Sequence, residues 1–169
     1  MAAKIKVDQI ETVDGSGTIA LQNQLSGMTS ASMPTGSVLQ VVNVDNSSVV
    51  TVSTGGSYAD IISAAITPSS TSSKILINFY TSYYKQGNSS SSSNSSYKIL
   101  RGSTEIEGTY WHYADATTVT NWWHPASLMK LDSPNTTSAT TYKIQIGNSG
   151  GTQLGCQLPT KLILMEIAG

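Results

Sequence analysis

From Ser37 onward, short runs rich in Val, Ile, Leu, Tyr and Thr recur with Gly, Pro, Asn, Asp and Ser between them. Strand-length apolar runs at this spacing, each closed by turn formers, point to a β-sandwich or barrel. Val38–Val44 is the first run and stops at Asp45-Asn46; Ser48–Ser53 follows and ends at Gly55-Gly56. Tyr58–Thr67 is ambiguous, because Asp60–Ala65 has helical propensity as well, and Pro68 ends it either way. Lys74–Tyr84 places Ile75, Ile77 and Phe79 on one face and Leu76, Asn78 and Tyr80 on the other, so both faces are expected to be partly covered. Further runs cover Tyr97–Arg101, Glu105–Tyr113 and Val119–Leu131, with a turn at Gly102-Ser103. Tyr142–Ile146 alternates as a half-exposed strand does. Lys161–Ile167 is apolar on both faces, which suits a central strand or one buried between subunits.

The chain has 169 residues, room for one domain and a short extension. Charged residues make up 11% of it, against roughly 25% in average soluble domains, and the net charge is −1. Counterion release from phosphates needs a basic stripe, which these scattered lysines do not form, so no nucleic-acid partner is expected. Polarity comes from 27 Ser, 20 Thr and nine Asn. The run Asn88–Ser96 cannot bury apolar surface and is expected to project as a flexible loop. There is neither a signal-peptide-like stretch nor an apolar run of spanning length, so export and membrane insertion are not expected. Cys156 is the single cysteine, in an apolar run that suits a small buried hydrophobe.

The first thirty or so residues read differently. Ile5, Val7 and Ile10 lead through the turn signal Val13-Asp14-Gly15-Ser16-Gly17 to Thr18–Leu21, two short strands about a turn. Such a hairpin is marginal alone in water, so its apolar face calls for another chain or another protein. Residues 1–33 are therefore expected to attach or oligomerise, and residues 34–169 to form the β-sandwich. Gln22–Thr35 reads as the linker between them.

Three stretches together resemble small tail-fibre-like structural proteins of tailed bacteriophages, of the marine and cyanobacterial type. They are Lys4–Glu11, the segment Thr67-Pro68-Ser69-Ser70-Thr71-Ser72-Ser73-Lys74-Ile75-Leu76-Ile77, and a C-terminal half containing Leu131–Pro134, Thr141–Gln145 and Leu162–Ile167. The resemblance implies a virion protein whose all-β, jelly-roll-like C-terminal domain forms a three-fold knob, displayed on a tail fibre or on the head. With the residue readings, the expectation is a homotrimer on the virion surface, joined to other virion proteins through residues 1–33 and contacting a host-surface glycan or protein. The resemblance carries over no catalytic residue and no cofactor. The chain lacks a long shaft, so a head fibre or capsid decoration protein without a receptor role is equally compatible with its length.

Gly147-Asn148-Ser149-Gly150-Gly151 matches the G-x-S-x-G pattern of a nucleophile elbow, but Thr152–Leu158 shows no helical periodicity to follow it. A glycine-rich hairpin turn accounts for the same residues. Glu105 and Glu107 share a strand face at i,i+2 and read as a solvated surface rather than as a glycosidase pair. All three tryptophans fall in Tyr110-Trp111-His112-Tyr113 and Trp122-Trp123-His124. Aromatic faces beside polar donors suit sugar stacking, while the same residue types dominate cores and subunit interfaces. Both readings stand for this cluster. Two histidines without nearby Cys or Glu do not make a zinc site within one chain, although three-fold symmetry could gather copies of one His on an axis.

Overall fold

The computed structural model describes residues 33–53, 58–86, 93–114, 121–149 and 153–169. They form nine strands: β1 (Val38–Asn46), β2 (Val50–Ser53), β3 (Tyr58–Ile66), β4 (Lys74–Gln86), β5 (Ser93–Arg101), β6 (Thr104–Ala114), β7 (Asn121–Asp132), β8 (Thr140–Ser149) and β9 (Gln153–Ile167). No helix occurs among the described residues. Every pairing is antiparallel, in two sheets of order β1-β9-β4-β7, with β2 also on β9, and β3-β8-β5-β6.

The pairings are nested. β5 pairs with β6 across the turn at Gly102, β4 with β7, β3 with β8, and β1 with β9. The chain is one long two-stranded ribbon folded back at its tip, then rolled so that β4 also meets β9 and β5 also meets β8. That is a jelly roll, the double-sheet form of β-sandwich expected from the strand spacing. Gly102 turns the ribbon with φ of 61°, a conformation that favours glycine.

Alternation buries one face of each sheet. Ile75, Ile77, Phe79, Leu162 and Leu164 from one sheet meet Tyr97, Ile99, Tyr142, Ile144 and Ile146 from the other. Asp60–Ala65 is strand, and the source of its ambiguity is a bulge between Asp60 and Ile62. The bulge lets Ile61 and Ile62 both face inward, which breaks the period of two. The two faces of β4 are covered unequally: Ile75, Ile77 and Phe79 are fully buried, whereas on the other face Leu76 is half-buried and Asn78 and Tyr80 are exposed. The expected loop Asn88–Ser96 is shorter than its composition suggests, because Ser93–Ser96 belong to β5 and Ser95 and Ser96 are buried. Main-chain pairing to Ser149, Asn148 and Gly147 overrides the low strand propensity of serine there.

The expected hairpin turn at 147–151 is likewise strand through Ser149. Gly147 is required by contact rather than by its dihedral angles: a Cβ would lie 2.8 Å from Ser96 Oγ and 2.9 Å from the Tyr58 ring. The expected strands within residues 1–32 lie outside the described residues.

Candidate functional site

The nested ribbon gives the sandwich two distinct ends. At one, Gly36 N donates to Ala168 O and Ala168 N to Ser37 O, both at 2.8 Å, so the segment leading in from residue 33 and the end of β9 lie together. We call this end the base. At the other, the tip, Gln86 pairs with both Asn121 and Gln153, Ser53 with Gln153, Ser93 with Ala114, and Asn94 with Ser149. The strand ends at the tip flank residues 54–57, 87–92, 115–120 and 150–152, which are mostly Gly, Ser, Thr and Asn and carry one charge, Asp115.

The base is closed by polar networks. Glu166 is fully buried and accepts from Ser69 N (2.7 Å), Ser69 Oγ (2.6 Å) and Gln40 Nε2 (2.6 Å). Desolvation raises its carboxyl, but the bonds from Ser69 and Gln40 outweigh it and the net displacement is downward. Asp132 accepts from Arg101 Nη1 through both oxygens, at 3.0 and 3.1 Å, and from the buried Tyr142 hydroxyl at 2.7 Å. Glu105 and Glu107 are exposed and ion-paired with Lys98 at 2.6 Å and Lys130 at 2.8 Å, but they do not share the strand face expected of them: a bulge sets them opposite Leu100 and Ile99, consecutive residues that face opposite ways.

The aromatic cluster is at the tip. Tyr110, Trp111 and Tyr113 are opposite Ser96, Ser95 and Asn94 along β5; Trp122, Trp123 and His124 are opposite Lys85, Tyr84 and Tyr83 along β4. β6 and β7 are the edge strands of their respective sheets. The side chains of Tyr110, Trp111, His112, Tyr113 and Trp122 lie outside the described ones.

Trp123 and His124 are separated by the pleat of β7. Trp123 packs on Tyr84 on the outer face of the sheet, with ring centroids 5.1 Å apart and planes at 48°, and is 60% exposed. His124 stacks on the buried ring of Tyr83 at 5.8 Å and 29°. Trp123 and His124 are neighbours in one aromatic cluster of the sequence, and the period of two assigns them to opposite faces.

Below this end the interior is polar, a feature that strand alternation alone could not reveal. Lys85 is only 2% exposed and donates to Asn148 Oδ1, while Asn148 Nδ2 reaches Val52 O at 3.4 Å. Burial lowers the Lys85 ammonium to about 8 and raises the Cys156 thiol to about 12. A buried thiol so displaced is not a nucleophile near neutral pH. Among the described residues, no group of three His, Cys, Asp or Glu is placed to hold a metal ion.

No protein-family profile matches the chain, and no curated protein does. Among solved structures, the chain is similar to one titled as infectious bursal disease virus, Gx strain, at TM-score 0.47 and 14% identity, covering 91% of this chain and 38% of that one. It is similar to the VP2 subviral particle of that virus at TM-score 0.42 and 14% identity, covering 77% and 33%. T=1 particles derived from the virus give TM-score 0.44 and 15% identity, covering 91% and 36%. The chain spans little more than a third of those chains.

Proposed function

We propose that this chain is a non-enzymatic structural protein of a tailed-bacteriophage virion, a homotrimeric, tail-fibre-like knob that contacts the host surface. The observation that carries this reading is the opposition of the two ends. The segment from residues 1–33, read as the attachment to other virion proteins, enters at the base. Trp123 belongs to the tip, where strand ends flank the Ser-, Thr- and Gly-rich connections of the sequence, and recognition commonly resides on loops held by a rigid scaffold.

The trimer is supported by the outer face of the β1-β9-β4-β7 sheet toward the base. Val41, Leu131 and Met129 are there, 56%, 49% and 72% exposed, around half-buried Leu76, Ile163 and Met165. Contiguous exposed apolar surface of this kind marks an interaction site, and we assign it to contact between copies.

Sedimentation of the full-length chain is expected to give three copies per particle, and labelling of intact virions to place the protein on the tail. A monomer at micromolar concentration would remove the trimer. Copies distributed over the head would replace the reading by capsid decoration.

A further inference from the structure

Two cross-strand rows on the outer face near the tip form a flat surface unlike the apolar one toward the base. In the first row Trp123 of β7, Tyr84 of β4, Gly155 of β9 and Thr51 of β2 lie side by side. In the second, Ser82 of β4 pairs with Gln157 of β9. Neighbouring strands are about 4.8 Å apart, so the first row extends across roughly 14 Å.

The tilted Trp123 and Tyr84 rings form one part of the surface. Gly155 is buried beneath the other: Thr51 and Gln157 close over it, and a Cβ there would meet Thr51 Cγ2 at 3.1 Å and Gln157 Nε2 at 3.5 Å. The exposed Thr51 and half-buried Gln157 thus supply a hydroxyl and an amide on the face that carries the rings. Neither row contains a charged residue, and the nearest charge along β9, Lys161, is paired with Asp45 at 3.0 Å.

An exposed Trp123 ring packed on half-buried Tyr84, on one face with hydroxyl and amide groups, matches the two chemistries of a sugar. Its C–H face stacks on an aromatic ring, and its hydroxyls exchange hydrogen bonds with neutral donors and acceptors. An acidic sugar would leave its carboxylate without a cation, and a nucleic acid its phosphates. We propose that this surface binds a neutral saccharide, with Trp123 and Tyr84 as the stacking wall and Thr51, Ser82 and Gln157 as hydroxyl partners. The proposal rests on the host-contact reading above and names the ligand class and the face that takes it.

The test uses the full-length chain on an array of neutral hexose and N-acetylhexosamine oligosaccharides beside sialylated and sulfated ones, and in parallel on host cells. Neutral glycans should be retained, and Trp123→Ala should weaken retention about tenfold or more, corresponding to about 1.4 kcal/mol. Gln157→Ala, which keeps the backbone carbonyl that Thr81 and Thr160 use, should weaken it severalfold. Melting temperatures of both variants should remain within a few degrees of the parent. Retention of acidic glycans only, no retention of any glycan, or neutral binding unaffected by either substitution would overturn the site. Cell adsorption that persists in both variants would overturn the site and leave host contact standing, whereas absence of adsorption by the parent chain would overturn host contact itself.

Discussion

Ser69 and Glu166 are 97 positions apart, yet the amide and hydroxyl of Ser69 both donate to one carboxylate oxygen of Glu166. The bond joins the connection between β3 and β4 to the last strand. Ser69 of the connection supplies both of these donors to the carboxylate of the strand, which gives that position of the serine-rich run a local physical reason.

Glu166→Ala should cost about 2 kcal/mol, the scale of leaving hydrogen-bonding groups without their partner. Glu166→Gln should cost less, because one carbonyl oxygen can still accept from Ser69 while its amide opposes that of Gln40. The native carboxyl is displaced downward, so its stabilisation is full above the unfolded value of 4.5 and is lost as pH falls through the lower folded value. Urea midpoints of parent and Gln variant should therefore converge in acid. A constant gap from pH 7 to pH 3 would show that the charge contributes nothing.

Lys85 acts in the opposite pH range. Folding lowers its ammonium from 10.5 to about 8, a penalty of about 3 kcal/mol while both states are protonated. As pH rises above 8 the folded form releases its proton before the unfolded chain does, so this contribution to stability increases up to about 10.5. Cys156, Tyr83, Tyr97 and Tyr142 are all displaced upward by burial and oppose it at higher pH. Subtracting the stability of Lys85→Met cancels those groups. The difference, parent minus variant, should climb between pH 8 and 10, and a flat difference would contradict the burial of the ammonium.

At Asp132 the two partners can be separated. Asp132→Ala strands the buried Tyr142 hydroxyl and should cost about 3 kcal/mol. Asp132→Asn retains an acceptor for Tyr142 and should recover part of the loss, since the Arg101 bond is half-exposed and worth less. Denaturant midpoints with an unchanged slope would establish this order.

Gly147→Ala should cost about 1–3 kcal/mol, because its methyl group would overlap Ser96 Oγ and the Tyr58 ring. The double variant Gly147→Ala with Ser96→Ala should recover part of that loss in thermal melts. Additive losses would locate the clash in the ring alone.

The strands and their inward faces could be read from the sequence because a period of two is a local signal: Tyr142, Ile144 and Ile146 alternate in the text as they do in the sandwich. What was lost depends on partners distant in the chain. Ser93–Ser96 look like linker until β8 pairs with them, and Ser149 looks like a turn until β5 does. Lys85 lies just beyond the strand expected over Lys74–Tyr84, and only its meeting with Asn148 places it inside. Trp123 was recognisable as an aromatic to watch, but its partner Tyr84 and the closing of Thr51 and Gln157 over Gly155 are set by register alone.

The meeting of β1 with β9 at the base also determines how the domain bears force. A pull that enters at Met33 and leaves at the tip runs parallel to β1, whose ladder to β9 extends from Val38 to Asn46. Hydrogen bonds in an antiparallel ladder lie perpendicular to the strands. They are then sheared together rather than opened one after another, so rupture must overcome the whole ladder at once. A pull between Met33 and Gly169, both at the base, would instead peel the same ladder bond by bond. The same fold is thus strong along the axis joining base to tip and weak between its own two ends.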